Sequence, residues 1–241
     1  MFTFADKLGV GLYAPAEAAL YARVSRRVMK RWVFGDSESR PVIDRQFSDS
    51  DGKVVSFLDF VQILAVREIR NRHGLSLQKI RRGVDAATER YGISLPLARQ
   101  HTIYLFGDQR GEGHGEMVIR LPEDPNDLAT QFVQLTGQGK ESRLIGPVVE
   151  TFLADLAFDP ASNLASKYSP MTCDGASIVL DPHRRFGAPL VDPGGYTVEA
   201  LWDATNVEGG IEKAAEAYGV GVAEVMLANR YYDGLIMSTV G

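Results

Sequence analysis

A short segment near the start of the sequence contains four cationic residues, which are Arg26, Arg27, Lys30 and Arg31. Ser25, just before them, is a residue type that caps helix N-termini, and Gly35 is suited to end a helix. An arginine in the major groove can form paired hydrogen bonds with guanine edges, and a lysine can contact phosphates. A helix of this composition is what reading of the major groove requires.

A second helix is predicted directly before the cationic one. Pro15 suits the first helical turn, and Glu17 favours the positive end of the helix dipole. Alanine-rich sequence follows, and Arg23 and Val24 form a tight turn before Ser25. The order helix, turn, cationic helix predicts a helix-turn-helix. The alternative is a solvated basic helix in a module that binds protein.

The residues after Gly35 predict a β wing and two further helices. PVIDRQF (41–47) and KVVSF (53–57) are short strand-like runs on either side of SDSDG, which has hairpin-turn composition. The segments FLDFVQILAVREIRNRHG and SLQKIRRGVDAATERYG have apolar residues at helical spacing and end at glycine. A wing and helices in this order favour binding to duplex DNA.

The distribution of charge supports a division of labour. Residues 1–100 contain 17 Lys and Arg against 11 Asp and Glu, a net +6. The rest contains 26 − 17 = 9 basic and 31 − 11 = 20 acidic residues, a net −11. A basic half joined to an acidic half indicates that one half faces a polyanion and the other does not.

The N-terminal pattern resembles the MerR-type winged helix-turn-helix family. The match runs from Tyr13 to about Tyr91 and is carried by YxxxEAAxxxxVSxRxxxRW, an Arg-Pro wing and the FLDFVQILAVREIRNRHGLSLQKIRR segment. The resemblance implies that the wing contacts the DNA backbone through Arg40, Arg45 and Lys53. No long coiled-coil dimerisation helix follows, as it would in a metal- or drug-responsive member of that family.

The C-terminal segment from Ser177 to Asp233 resembles a small trihelical prokaryotic domain of unknown function that recurs in antitoxins. The shared features are a strand ending in Asp-Pro, a Gly-x-Pro loop, a Thr-Val-Glu-Ala-Leu helix and closing helices that end in aromatics. The whole arrangement resembles a VapB-type antitoxin, which implies a PIN-domain ribonuclease toxin as partner. Arg184 and Arg185, in a loop rich in Gly and Pro, are the candidates to plug the acidic metal site of such a toxin. The alternative is that they are ordinary solvated residues.

Other chemistry is not indicated. Gly111, Gly113 and Gly115 lack the Lys-Ser/Thr of a phosphate loop. His101, His114 and His183 are scattered, and the single cysteine, Cys173, has no histidine beside it, so neither a metal site nor a cofactor is expected. We find no pairing of a nucleophile with a base and predict that the chain is not an enzyme.

The predicted fold class is mainly α with an α+β character. Three domains are expected: a winged helix-turn-helix over 1–95, an α+β connector over 96–170 and a trihelical domain over 171–241. In the connector, HTIYLFG and GEMVIRL are predicted as strands joined by DQRGEGHG, 127–135 and 144–156 as helices, and AFD and LASKY as strands that pair across the turn at 160–163. A thinly packed boundary is expected at 94–100. We expect a homodimer, because operators usually hold two half-sites, and the apolar Leu235, Ile236 and Met237 either form the contact or pack on their own domain.

The sequence therefore predicts a DNA-binding antitoxin that represses its own operon and neutralises a toxin. No apolar run approaches the ~18 residues of a membrane span, and no signal-peptide pattern opens the sequence, so a cytoplasmic location is expected. The main alternative is a one-component MerR-like transcriptional regulator whose C-terminal half senses a small molecule. A deep apolar pocket with a few convergent polar groups would favour that alternative.

Overall fold

The computed structural model describes residues 9–47, 52–100, 103–106, 116–120, 132–134 and 154–240 of the chain. Seven α-helices lie in these ranges. They are α1 (Pro15–Tyr21), α2 (Arg26–Phe34), α3 (Phe57–His73), α4 (Leu77–Tyr91), α5 (Val198–Glu208), α6 (Ile211–Tyr218) and α7 (Val222–Val240). Short 3-10 turns occur at Pro96–Ala98 and Arg185–Gly187.

Nine strands form antiparallel sheets among the helices. The strands are β1 (Leu12–Tyr13), β2 (Val55–Ser56), β3 (Ile103–Phe106), β4 (Glu116–Arg120), β5 (Phe132–Gln134), β6 (Leu156–Phe158), β7 (Ala165–Cys173), β8 (Ala176–Leu180) and β9 (Leu190–Asp192). In the described residues β1 pairs with β2, and the other sheets have the orders β3-β4-β5 and β6-β7-β8-β9. The predicted class, mainly α with α+β character, is confirmed.

Side-chain hydrogen bonds cap the starts of α1 and α2, and the Ser25 cap of α2 was predicted from the sequence. The Ser25 hydroxyl accepts from the Val28 amide at 3.3 Å. Glu17 closes the first turn of α1 by accepting from the Ala14 amide at 2.7 Å. Such bonds satisfy amides that have no partner within the first turn of a helix.

The segment 41–47, predicted as the first strand of a wing, is not a strand. Val42 and Ile43 are buried, and the Val42 amide donates to the Trp32 carbonyl at 2.7 Å. The Gln46 amide donates to the Asp59 carboxylate at 2.9 Å. The backbone amides of this segment therefore donate to α2 and to the Asp59 side chain rather than to a neighbouring strand. The predicted partner strand, β2, pairs with β1 instead. The predicted turn residues 48–51 lie outside the described residues.

In the middle of the chain some predicted elements form and others do not. The strands predicted before and after DQRGEGHG pair as β3 and β4, and those predicted around Pro160 pair as β6 and β7. A helix was predicted over 127–135, but residues 132–134 form a strand that pairs with the free edge of β4. The helix predicted over 144–156 lies mostly outside the described residues, and Leu156 begins β6.

The segment 94–100, expected to be a thinly packed boundary, is well packed. Pro96, Leu97 and Ala98 are buried, and the Leu95 amide donates to the Asp44 carboxylate at 2.8 Å. The Gln100 amide donates to the Asn163 carbonyl at 2.9 Å. The expectation of a thin boundary was therefore wrong, because one hydrophobic core runs from the first helices to the last.

Three helices close the chain where they were predicted, and the last is longer than expected. α7 continues through the apolar tail to Val240, with Leu235 buried and Met237 76% exposed. Leu235 therefore packs on its own chain, whereas Met237 faces outward. Within the described residues, no helix is both long and apolar enough to cross a membrane.

Candidate functional site

The outer side of α2 is an exposed cationic surface. Its cations, all exposed, are Arg26, Arg27, Lys30 and Arg31. Met29, Trp32 and Val33 are buried on the other side of the helix. Because successive residues turn by about 100°, the four cations lie within an arc of about 140°. Among the residues that the structure describes, none of the four has a carboxylate as an ion-pair partner. The cationic surface is therefore available to an anionic partner.

The turn between α1 and α2 is held rigidly against α3. Ala18 and Ala19 are buried, so the short side chains let α1 approach α2 closely. Arg67 on α3 donates from Nη1 to the Ala22 carbonyl in the turn at 2.7 Å. The helix-turn-helix is thus buttressed by a side chain that could not be singled out in the sequence, because Arg67 is one of several arginines on its helix.

The three residues predicted to contact the DNA backbone from the wing have different environments. Lys53 is exposed, as a phosphate contact requires. Arg40 is 73% exposed, and its Nη2 lies 3.0 Å from a carboxylate oxygen of Asp85 on α4. Arg45 is half-buried with its guanidinium 4.5 Å from the centre of the Phe34 ring, an arrangement in which the cation interacts with the aromatic face. Of the three, Lys53 and Arg40 are exposed to solvent, and the Arg40 guanidinium pairs with Asp85.

The loop between β8 and β9 contains the two arginines predicted to bind a partner, and their side chains have different environments. Nη1 of Arg184 donates to the Asp192 carboxylate at 3.0 Å, so this guanidinium closes the base of the loop. Arg185 is exposed at the tip, and beside it Phe186 is 70% exposed. Phe186 was not among the residues predicted from the sequence. The sequence did offer a sign of it, because a large apolar residue in a loop rich in Gly and Pro is often exposed.

Two titratable groups with shifted pKa values are the buried carboxyl of Asp59 and the exposed thiol of Cys173. Burial raises the pKa of Asp59, against hydrogen bonds from the Gln46 and Ser56 amides that lower it. The Cys173 thiol is exposed, and its hydrogen bond to the Asp174 carboxylate raises its pKa, which disfavours the nucleophilic thiolate. No cluster of three or more His, Cys, Asp or Glu side chains among the described residues could hold a metal ion.

A cleft of about 540 Å³ lies where the β6–β7 turn meets Pro182 and His183. Asp159 in its wall accepts from the amide and hydroxyl of Ser162, and these bonds shape the turn. His183 at the rim has a side chain that is 73% exposed. The lining combines apolar side chains such as Leu58 and Leu164 with polar ones such as Gln46. The cleft is partly open to solvent, so it is not the deep pocket that the small-molecule-sensor alternative predicts.

One curated sequence and one solved structure are similar to the chain along most of its length, while no family model matches it. The chain is a distant homologue of the Mycobacterium tuberculosis protein named "Putative antitoxin VapB45": the two are 24% identical over 231 residues, which cover 89% of this chain and 90% of the relative. The crystal structure of Rv2018 from Mycobacterium tuberculosis matches with a TM-score of 0.59 at 22% identity, covering 92% of this chain and 99% of that one. The structural match shows a shared fold, and the sequence match shows that the likeness extends across both halves.

Proposed function

We propose that this chain is an antitoxin that binds duplex DNA at its own operator and neutralises a toxin encoded beside it. The observation that carries the antitoxin assignment is the likeness to VapB45 over 89% of the chain, since a shared DNA-binding module alone would match one half. The DNA-binding part is supported by the exposed cationic surface of α2.

In the proposed DNA complex the N-terminal part of α2 enters the major groove. Arg26 and Arg27 are then placed for base edges, with Lys30 and Arg31 further along the same side. Ser25 at the N-cap lies where the helix meets the groove, and Lys53 and Arg40 reach phosphates beside it. Arg45 supports this surface from behind, because its guanidinium packs on Phe34 at the end of α2.

A gel-shift titration with operator DNA tests this arrangement. The variant Arg27→Glu/Arg31→Glu should lose sequence preference, because each arginine bound to a base edge contributes about 1–3 kcal/mol of discrimination. The control Lys167→Glu/Lys213→Glu changes two exposed cations on β7 and α6 and alters net charge by the same amount. Affinity unchanged in the first variant, or equally reduced in both, would refute binding through α2.

The proposed partner is a PIN-domain ribonuclease, and the acidic C-terminal half binds it. Arg184 and Arg185 remain the candidate contacts, with separate tasks. Arg184 keeps the loop closed through Asp192, and Arg185 reaches the partner's acidic metal site. A guanidinium suits that task because it pairs with carboxylates through two parallel hydrogen bonds.

Co-expression with the product of the adjacent reading frame tests the pairing. The wild-type chain should relieve the growth arrest caused by that product and should co-purify with it. Arg185→Ala should weaken the complex, and Lys213→Ala, an exposed cation on α6, is the matched control. Arrest that persists in the presence of the folded wild-type chain would contradict the assignment.

We also propose that the chain forms a homodimer through the solvent-exposed side of α7. Val222, Met226 and Met237 are 43%, 55% and 76% exposed, and their positions fall within an arc of about 60° around that helix, with Met237 about three turns beyond Met226. Light scattering of the wild type and of Met226→Glu/Met237→Glu tests the contact. A dimer that becomes a monomer in the variant agrees with it, and a monomeric wild type would refute it.

A further inference from the structure

The loop between β8 and β9 presents a phenylalanine at its tip. Phe186 is 70% exposed, although water disfavours so large an apolar surface. Single exposed apolar residues are common on proteins, so exposure alone does not mark a site. The conformation of the loop supplies the further evidence.

Two consecutive residues at this tip have left-handed backbone conformations. The φ angles are 47° at Arg185 and 58° at Phe186, a region that bulky L residues rarely adopt. The Gly187 amide donates to the Arg184 carbonyl at 2.9 Å, and the Ala188 amide donates to the Arg185 carbonyl at 3.1 Å. Such strain persists only where surrounding contacts impose it, and it concentrates at functional positions.

The contact that holds the tip comes from the other half of the molecule. The buried hydroxyl of Tyr13 donates to the Gly187 carbonyl at 2.9 Å. A Cβ at position 187 would collide with that hydroxyl, so the approach admits glycine alone. The Tyr13 ring is itself fixed, with its centre 5.4 Å from that of Phe60 and 5.9 Å from that of Tyr21. The loop is therefore a rigid support for an exposed aromatic ring.

We propose that Phe186 is the apolar anchor by which this chain binds its protein partner, with Arg185 pairing with a carboxylate at the edge of the pocket that receives the ring. This inference rests on the proposed function, and it names Phe186 as the residue at the centre of the interface with the protein partner. Aromatic rings and arginines that are held in place before binding carry much of the affinity at protein interfaces.

The charge around the tip favours a protein over DNA as the occupant. Asp181 and Asp192 flank the loop, and Arg184 is already paired with Asp192. The tip also belongs to the part of the chain, residues 101–241, whose net charge is 9 − 20 = −11. Within the loop, the charges of Arg184 and Arg185 are balanced by Asp181 and Asp192, so the tip offers a polyanion no net positive charge. A pocket of apolar groups with one or two carboxylates would fit Phe186 and Arg185.

Titration calorimetry with the full chain and the purified product of the adjacent reading frame tests the anchor. Phe186→Gly removes the ring and suits the left-handed conformation, so its melting temperature should equal or exceed that of the wild type. Its affinity for the product should fall at least ~30-fold, as for a central interface residue. Tyr13→Phe, which loses one hydrogen bond to the loop, should bind about 2- to 10-fold more weakly.

The control is Val207→Ala, which trims another exposed apolar side chain, since Val207 is 80% exposed on α5 and its replacement should be silent. If the wild type binds the product and Phe186→Gly binds equally well, the anchor is refuted while the proposed function stands. If Phe186→Gly loses operator affinity or changes oligomeric state with product binding intact, the tip belongs to another interface and the inference is overturned. If the wild type does not bind the product, the proposed function fails, and the anchor fails with it.

Discussion

At the residue scale, single side chains connect parts of the molecule that are distant in sequence. Arg67 donates to the Ala22 carbonyl in the helix-turn-helix, and Tyr13 donates to the Gly187 carbonyl in the loop between β8 and β9. Neither role could be predicted from the sequence, because a residue's type and neighbours do not tell which distant carbonyl it meets. The exposure of the α2 cations could be predicted, because helical periodicity places them on the side of the helix opposite its apolar residues.

Replacing Arg67 with methionine keeps the length of the side chain and removes its donors. We expect Arg67→Met to lower the free energy of unfolding by about 1.5–3 kcal/mol, the range for hydrogen bonds made by charged groups. Operator affinity should fall as well, because the turn before α2 loses its support. Urea denaturation measures the first effect. Arg90→Met, at an exposed position on α4, is the control and should stay within about 0.5 kcal/mol of the wild type.

Buried tyrosines predict how stability changes at alkaline pH. Burial raises the pKa of Tyr13, Tyr168 and Tyr231 above the usual value, with neighbouring groups as smaller causes. In the unfolded chain these phenols ionise near pH ~10, whereas the folded chain keeps them protonated. Their contribution to stability is therefore complete below about pH 10 and is lost as the pH rises further.

Denaturation midpoints measured between neutral pH and about pH 11 test this dependence. The midpoint of the wild type should drop once the pH passes the ordinary value for tyrosine, and Tyr231→Phe should drop less because it has one ionisable phenol fewer. Equal losses in the two proteins would contradict a contribution from Tyr231.

At the element scale, local signals predicted the helices with clear caps and stops well, and the wing poorly. Caps such as Ser25 and Ser76 and stops such as Gly74, which takes a left-handed conformation with φ 62°, act within one turn and can be read from the sequence. The segment 41–47 has the composition of a strand, but its backbone partners are the Trp32 carbonyl and the Asp59 carboxylate. Those partners belong to distant helices, so local composition could not reveal them.

The cap of α2 can be tested by two substitutions at one position. Ser25→Ala removes the acceptor for the Val28 amide and should cost about 1 kcal/mol of stability. Operator affinity should fall too, because the first turn of α2 carries the proposed base contacts. Ser25→Asn restores a capping side chain and should recover most of the stability. A Ser25→Ala protein as stable as the wild type would show that the cap contributes little.

At the scale of the whole molecule, the halves of opposite charge share one core. The Phe60 ring of α3 lies 6.0 Å, centre to centre, from the Tyr168 ring of β7, and the Arg23 guanidinium lies 5.8 Å from the centre of the Tyr231 ring of α7. The division into three domains was predicted from charge and composition, which report on surfaces. It stays a prediction, because packing between the parts depends on contacts that composition does not encode.

The two tryptophans allow this shared core to be tested. Trp32 lies on α2 and Trp202 on α5, so Trp32→Phe and Trp202→Phe each leave one fluorophore that reports on one half. We expect the two reporters to give coincident denaturation curves, as a single cooperative unit requires. Phe60→Ala should shift both curves together, with a loss of about 3–5 kcal/mol. Separate transitions would instead support independently folding halves.

Neutralisation of a toxin by the whole chain can be measured by a titration of RNA cleavage. The purified product of the adjacent reading frame is incubated with RNA and increasing amounts of the full-length chain. We expect cleavage to fall to zero at a fixed molar ratio, and the Lys167→Glu/Lys213→Glu control should inhibit as the wild type does. Cleavage that continues unchanged in a molar excess of folded chain would contradict the proposed antitoxin function.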